Sequence, residues 1–224
     1  MTIRLATRFS IALLTSSLIC SPIYAEPASL TQLKNEVQSY HDSGSYEKEI
    51  AAIVANAKQY INERAQKNSL SKHPKKLAIV LDIDETSISN YHHMVKRQFI
   101  ATHEQLHREN LEASSPVLKP MLSLYHDALK HDVTVFFITG RKESERYATA
   151  KNLKAAGFHT WAGLYLKPEN YNKPSVVPFK SGARKTIENK GYTIIANLGD
   201  QQSDLNGGYA EKSYKLPNPY YYLP

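Results

Sequence analysis

The sequence predicts an α/β fold built on a central parallel sheet. Three apolar runs carry that prediction: residues 77–81, 133–138 and 192–198 read as continuously buried strands, not as alternating half-exposed ones. Segments of helical period separate them, and that alternation places helices on both faces of the sheet. Each run ends in polar residues, and ligands of such sheets bind beyond the carboxyl ends of the strands.

The elements follow in order along the 224 residues. The N-terminus reads as a signal peptide. Arg4 and Arg8 precede the apolar "FSIALLTSSLIC", which is too short to span a bilayer, and cleavage is expected after Ala25. The expected location is therefore periplasmic or secreted, with no stable membrane insertion. A lipoprotein cut before Cys20 is disfavoured by bulky Ile19, where a small residue is wanted. Losing residues 1–25 removes two arginines and no acid, so the formal net charge of +7 becomes +5. Lys and Arg are scattered, which argues against a nucleic-acid polymer as partner. Cys20 is the only cysteine, so the exported chain has no disulfide or thiol chemistry.

Residues 26–224 read as one domain. Residues 26–74 form a helical arm, with Ile50, Ile53, Val54, Ala57 and Ile61 at helical spacing. "HPKK" ends it and the first strand follows. Residues 87–116 are a polar insert. "LKPMLSLYHDALKH" reads as a helix, "VTVFFITG" as the second strand, and "KESERYATAKNLKAAG" as a helix closed by Gly157. "AGLYLK" is a short strand, "KSGARKTIENKG" a helix closed by Gly191, "YTIIANLGD" a buried strand, and "SYKL" a last edge strand.

Three strands end in "LDIDET", "FFITGR" and "IANLGDQQSD", and Lys180 lies at the start of the helix before the last of these. Carboxylates gathered in one place repel one another unless a cation is present. Asp82, Asp84 and Asp200 therefore suggest a hard ion, and oxygen ligands that few point to Mg²⁺. Thr139 with the turn amides around Gly140, and Lys180, are suited to phosphate oxygens. One carboxylate is then left as a nucleophile toward phosphorus, and its neighbour two residues on as a proton shuttle.

This pattern resembles the haloacid dehalogenase (HAD) superfamily of phosphohydrolases. "DIDET", "ITG", Lys180 and "GDQQSD" match its four motifs in order. "FKSGARKTIENKGY" and the ending "KLPNPYYY" look like its acid phosphatase branch (subfamily IIIB), which includes plant vegetative-storage-type and exported bacterial acid phosphatases. The resemblance implies a Rossmannoid three-layer sandwich with a small helical cap insert after the first strand and an N-terminal helical arm. It implies a Mg²⁺-dependent acid phosphatase acting on small phosphate monoesters. Asp82 would form an aspartyl-phosphate and Asp84 would serve as acid and base. Thr139, Gly140 and Lys180 would hold the phosphoryl oxygens, and Arg184 would fill a basic position in the lysine motif. Asp82, the Asp84 carbonyl, Asp200 and Asp204 would serve the metal. Gln202 stands where plant members would carry Trp.

Other readings compete. "HEQLH" at 103–107 fits H-E-x-x-H, but Arg108 and Glu109 follow where a zinc-protease helix stays apolar, and no third ligand is evident. A phospho-signalling receiver is opposed by Asp84, which would hydrolyse the phosphoenzyme quickly. A storage or binding protein on a phosphatase fold, and a phosphotransferase, remain as alternatives. Tyr91, His92 and His93 in the insert are candidates for leaving-group contact. The short insert predicts an open site with broad substrate range, nucleotides included. "NPYYYLP" reads as a packed C-terminus.

Overall fold

The computed structural model describes residues 27–224; the signal-peptide and lipoprotein readings lie outside the described residues. The arm is two helices, α1 (Leu30–Asp42) and α2 (Ser45–Ser69), broken at Ser43–Gly44. In α2 the residues at helical spacing, Tyr46, Ile50, Val54, Ala57, Ile61 and Ala65, are buried. Ile53 lies at the edge of this stripe and is half-buried. Each fully buried isoleucine here contributes about 1.5–3 kcal/mol of transfer free energy, so the stripe anchors the arm to the core.

After β1 (Lys76–Leu81) the insert carries α3 (Tyr91–Lys96) and α4 (His103–Glu112). Thr102 caps α4 by accepting from the Gln105 N–H, with Gln105 reaching back to the Thr102 N–H. Next come α5 (Lys119–Lys130), β2 (Thr134–Lys142), α6 (Arg146–Ala155) and β3 (Gly163–Lys167). The chain ends with α7 (Val177–Asn189), β4 (Tyr192–Gly199), the short α8 (Gln202–Leu205) and β5 (Lys212–Lys215). Gly157 and Gly191, which close α6 and α7, take φ of +100° and +87°, the left-handed stop expected of them.

The sheet order is β3-β2-β1-β4-β5, and every pairing is parallel. Alternation along the strands divides the apolar residues between two layers. Leu77, Ile79, Leu81, Val135 and Phe137 pack under α2 and α5, while Ala78, Val80, Phe136 and Ile138 pack against Ala183 and Ile187 of α7. The chain runs outward from β1 through β2 to β3, then crosses back to β4 and β5. The reversal falls at β1, and open α/β sheets bind ligands at such a point.

Candidate active site

Beyond the carboxyl ends of β1 and β4 lies a cavity of about 650 Å³. Its floor is Asp82, Lys180, Asp200 and Asp204, all buried. Lys180 reaches it from the first turns of α7. Its Nζ donates to Asp82 Oδ1 at 2.6 Å and also to Asp204 Oδ1. Carboxylate oxygens of Asp82, Asp200 and Asp204 lie within 4.8 Å of one another. Gly199 admits this crowding, because a Cβ at that position would overlap the Asp204 side chain.

The charges respond as burial demands. Desolvation pushes the Asp82 carboxyl well above the usual range, and the negative charges of Asp204, Asp200 and Asp84 add to it against the opposing pull of Lys180. Burial and then Asp204 raise Asp200 as well, although Asn218 and Gln201 donate to it. Burial would lower the Lys180 ammonium, but Asp204 and Asp82 together hold it above its ordinary value. One ammonium among three buried carboxylates leaves negative charge uncompensated. Clustered oxygen donors of that charge fit a hard divalent cation.

Asp84 is set apart from this floor. Its carboxylate is 24% exposed and meets Arg141. Arg141 Nε lies 3.1 and 3.0 Å from its two oxygens, Nη2 lies 2.6 Å from Oδ1, and Asn90 Nδ2 donates to Oδ1 at 2.7 Å. Burial alone would raise the Asp84 carboxyl, but Arg141 holds it below the usual range. Arg141 is itself ordered by Thr139, whose Oγ1 accepts from its backbone N–H at 3.1 Å, and by Thr149. Thr139 is fully buried, whereas Gly140 lines the cavity.

Between the two acids' loop and the tail sits Glu85, in the left-handed region at φ 52°, where a non-glycine residue is uncommon. It accepts from the Asn90 N–H at 2.6 Å and from Tyr221 OH at 2.7 Å. Burial, with the charges of Asp84 and Asp200 behind it, pushes its carboxyl up to about 8.

The structure thus brings together Asp82, Asp84, Gly140, Lys180, Asp200 and Asp204. Arg184 departs from its expected place. Its guanidinium donates to the carbonyls of Gly208, Asp204 and Asn206, so it holds the Asp204 loop, and it does not line the cavity. Tyr91, His92 and His93 also depart from expectation. None of them lines the cavity, and Tyr91 stacks on His41 with ring centroids 3.4 Å apart. The tail, expected only to pack, is part of the site: Tyr220 and Tyr221 line the cavity and Asn218 Nδ2 donates to Asp200 Oδ2 at 2.6 Å. Gln202 is exposed on α8 and bonds Asn206. His103 and His107 do share a face of α4 toward the cavity, but His107 Nδ1 pairs with Glu145 at 2.9 Å. Among the described residues the one group of three or more potential metal ligands is the Asp82, Asp200 and Asp204 cluster, to which "HEQLH" contributes nothing.

Arg141, Asn90, Glu85 and Tyr221 went unread in the sequence. Arg141 carried a usable signal, since it directly follows Thr139 and Gly140 at the carboxyl end of the second apolar run, where the candidate site lies. Asn90 and Tyr221 carried none, because their roles depend on how the insert and the tail fold back.

Comparison with known proteins agrees with this architecture. "Acid phosphatase 1" of Solanum lycopersicum is 34% identical over 148 residues, covering 64% of this chain and 58% of that protein. "Stem 28 kDa glycoprotein" of Glycine max is 36% identical over 160 residues, covering 69% of this chain and 63% of that one. The chain thus spans roughly three fifths of these relatives' length. In fold it is similar to a class C acid phosphatase from Bacillus anthracis solved with tungstate bound, with a TM-score of 0.70, 19% identity, and 85% and 86% of the two chains covered. The family described as HAD superfamily, subfamily IIIB (acid phosphatase) matches residues 15–224, and the chain belongs to it.

Proposed function

We propose that this protein is an exported, Mg²⁺-dependent phosphomonoesterase that works through an aspartyl-phosphate on Asp82. One observation carries the reading: a buried carboxylate, Asp82, is bonded to a lysine at the floor of a cavity that also holds a second acid oriented separately by Arg141. The substrates are small phosphate monoesters, nucleotides among them, and the compartment is periplasmic or extracellular.

An Asp82 oxygen attacks phosphorus as the P–O bond to the alcohol breaks, and Asp84, which Arg141 keeps as a carboxylate in the free site, relays to the leaving oxygen the proton that the monoanionic ester brings in. Water then attacks the phosphoryl group, Asp84 takes its proton, and the bond to Asp82 breaks. Lys180 and the backbone at Gly140, in the irregular end of β2, hold phosphoryl oxygens, with Thr139 fixing the Arg141 backbone behind them. Asp82, Asp200, Asp204 and the Asp84 carbonyl would hold Mg²⁺, which supplies positive charge against that of the phosphoryl oxygens.

The test is p-nitrophenyl phosphate hydrolysis by the purified protein with Mg²⁺, with EDTA, and as Asp82→Asn. Hydrolysis should need the metal and fall by at least about 10³-fold in the variant. A folded parent without activity at any pH from about 4 to 8 would overturn the reading, and would favour the storage role suggested by the names of relatives such as "Vegetative storage protein 2" of Arabidopsis thaliana.

A further inference from the structure

The cavity has a second cationic feature that this chemistry does not use. Lys142 ends β2 and Lys167 ends β3, and the two are register partners on adjacent parallel strands. The ladder shifts register between Thr139 and Lys142, and this irregularity brings Lys142 opposite Lys167 at the sheet's end, where adjacent strands lie about 4.8 Å apart. Both lysines line the same cavity as Asp82 and Lys180. The charge of Lys142 acts on Lys167, and an anion bound at the cavity wall would relieve that repulsion.

The neighbouring acids feel these lysines through space but direct their hydrogen bonds to other groups. Glu145 accepts from His107 Nδ1 and Asn110 Nδ2 through one oxygen and from the Lys142 backbone N–H through the other. Glu169 accepts from the Ser144 N–H at 2.6 Å. Neither lysine ammonium forms an ion pair or hydrogen bond among the described residues; Lys167 Nζ lies 5.9 Å over the Tyr171 ring. The half-buried Lys167 is lowered first by desolvation and then by the charge of Lys142; Glu145 opposes this, and Lys180 adds to the lowering. Its ammonium therefore feels both its strand neighbour and the lysine of the floor.

We infer that Lys142 and Lys167 form a subsite for a second anionic group carried by the leaving alcohol, so that the preferred substrates are phosphomonoesters bearing another phosphate or carboxylate. This deepens the phosphatase reading and rests on it. The transferred phosphoryl group sits on the floor at Asp82 and Lys180. The second anion lies toward the β2 and β3 ends, where two freely rotating ammonium groups accept any oxyanion.

The experiment compares propyl phosphate, 3-phosphopropionate and 1,3-propanediol bisphosphate, together with the 1,6-hexanediol bisphosphate, by inorganic phosphate release. In the wild type, kcat/KM for at least one substrate with an anionic tail should exceed that for propyl phosphate by roughly tenfold, well beyond the twofold that the two equivalent ends of a bisphosphate provide. The gain should lie in KM. In Lys142→Gln/Lys167→Gln the ratio should collapse toward the statistical one, and in Lys142→Glu/Lys167→Glu it should fall below it. A carboxylate gain equal to the phosphate gain would mean that the pair reads charge; a larger phosphate gain would mean that it reads phosphate. Hydrolysis of all substrates without discrimination, or a preference that survives both double variants, overturns this inference and leaves the phosphatase reading intact. Failure to hydrolyse p-nitrophenyl phosphate as well overturns both.

Discussion

On the floor of the cavity a buried lysine is bonded to two buried aspartates, with a third beside them. On its wall the charges are partly wet: Asp84 is 24% exposed against Arg141, Lys167 is half-buried, and Lys142 is exposed. The floor grows from strand ends and one helix start inside the sandwich. The wall comes from the insert, the ends of β2 and β3, and the C-terminal tail. Removing one floor charge leaves its partners buried and uncompensated, at a cost much larger than that of an exposed pair. Wall groups remain close to water, so changing them redirects binding and proton transfer more than it threatens the fold.

That contrast can be broken first at Lys180. Lys180→Met should cost about 3–5 kcal/mol of stability by urea titration in EDTA, because Asp82 and Asp204 lose their buried cation. It should also cut kcat by about 10²–10³. Mg²⁺ should return part of the stability and little of the activity. A stable variant in EDTA would mean that the floor tolerates unpaired charge and that the contrast fails.

Arg141 stands on the boundary. Its side chain is buried but its partner Asp84 is partly exposed. Arg141→Gln should lower kcat by roughly 10- to 100-fold, within the range that a positioned acid–base group supplies, with a smaller change in KM. Arg141→Lys should recover only part, since an ammonium cannot reproduce the guanidinium contacts to both Asp84 oxygens. A loss seen only in stability would place Arg141 with the structural ion pairs instead.

A pair remote from both regions gives the smallest effect. Arg64 of α2 bonds Glu211, just before β5, with Nε and Nη2 each at 2.8 Å from a carboxylate oxygen. The bond from Arg64 is the main reason that the Glu211 carboxyl lies below its ordinary value. A depressed carboxyl contributes stability that is present above its unfolded value, near 4.5, and is lost as pH falls through the lower folded value. Glu211→Gln should therefore be less stable than wild type by about 0.5–1 kcal/mol at pH 7, and the gap should close in acid. Chemical denaturation across pH 3–7 reads this, and hydrolysis of p-nitrophenyl phosphate should stay unchanged.

The parts of the fold that were legible are those written in local pattern. Residues 77–81 and 192–198 announced buried strands because both of their faces are apolar, and the structure buries them in the sheet's two central neighbours. Asp82, Asp84, Asp200 and Lys180 were legible because each sits at a strand end or a helix start that the same pattern locates. The break at Ser43–Gly44 is not part of the sequence reading, which rests on the apolar stripe of the second helix; the first helix buries no residue, and the Ser-Gly pair alone marks the break. Arg184 was misplaced for a related reason. Its position on α7, four residues after Lys180, suggested the cavity, yet that face of the helix meets the carbonyls of the Asp204 loop.

By itself, then, the sequence determined the strand order of chemistry: which carboxylates stand at sheet ends, which lysine precedes them, and that a parallel sheet would bring them together. Those depend on backbone period and burial, which act over a few residues. Only the tertiary structure decided that Asp84 belongs to Arg141 and Asn90, that the tail delivers Asn218 to Asp200 and Tyr221 to Glu85, and that Lys142 and Lys167 stand side by side. These are contacts between side chains up to 136 residues apart. Their partners are chosen by sheet register and by where the insert and the tail fold back, and no local pattern in the chain encodes either.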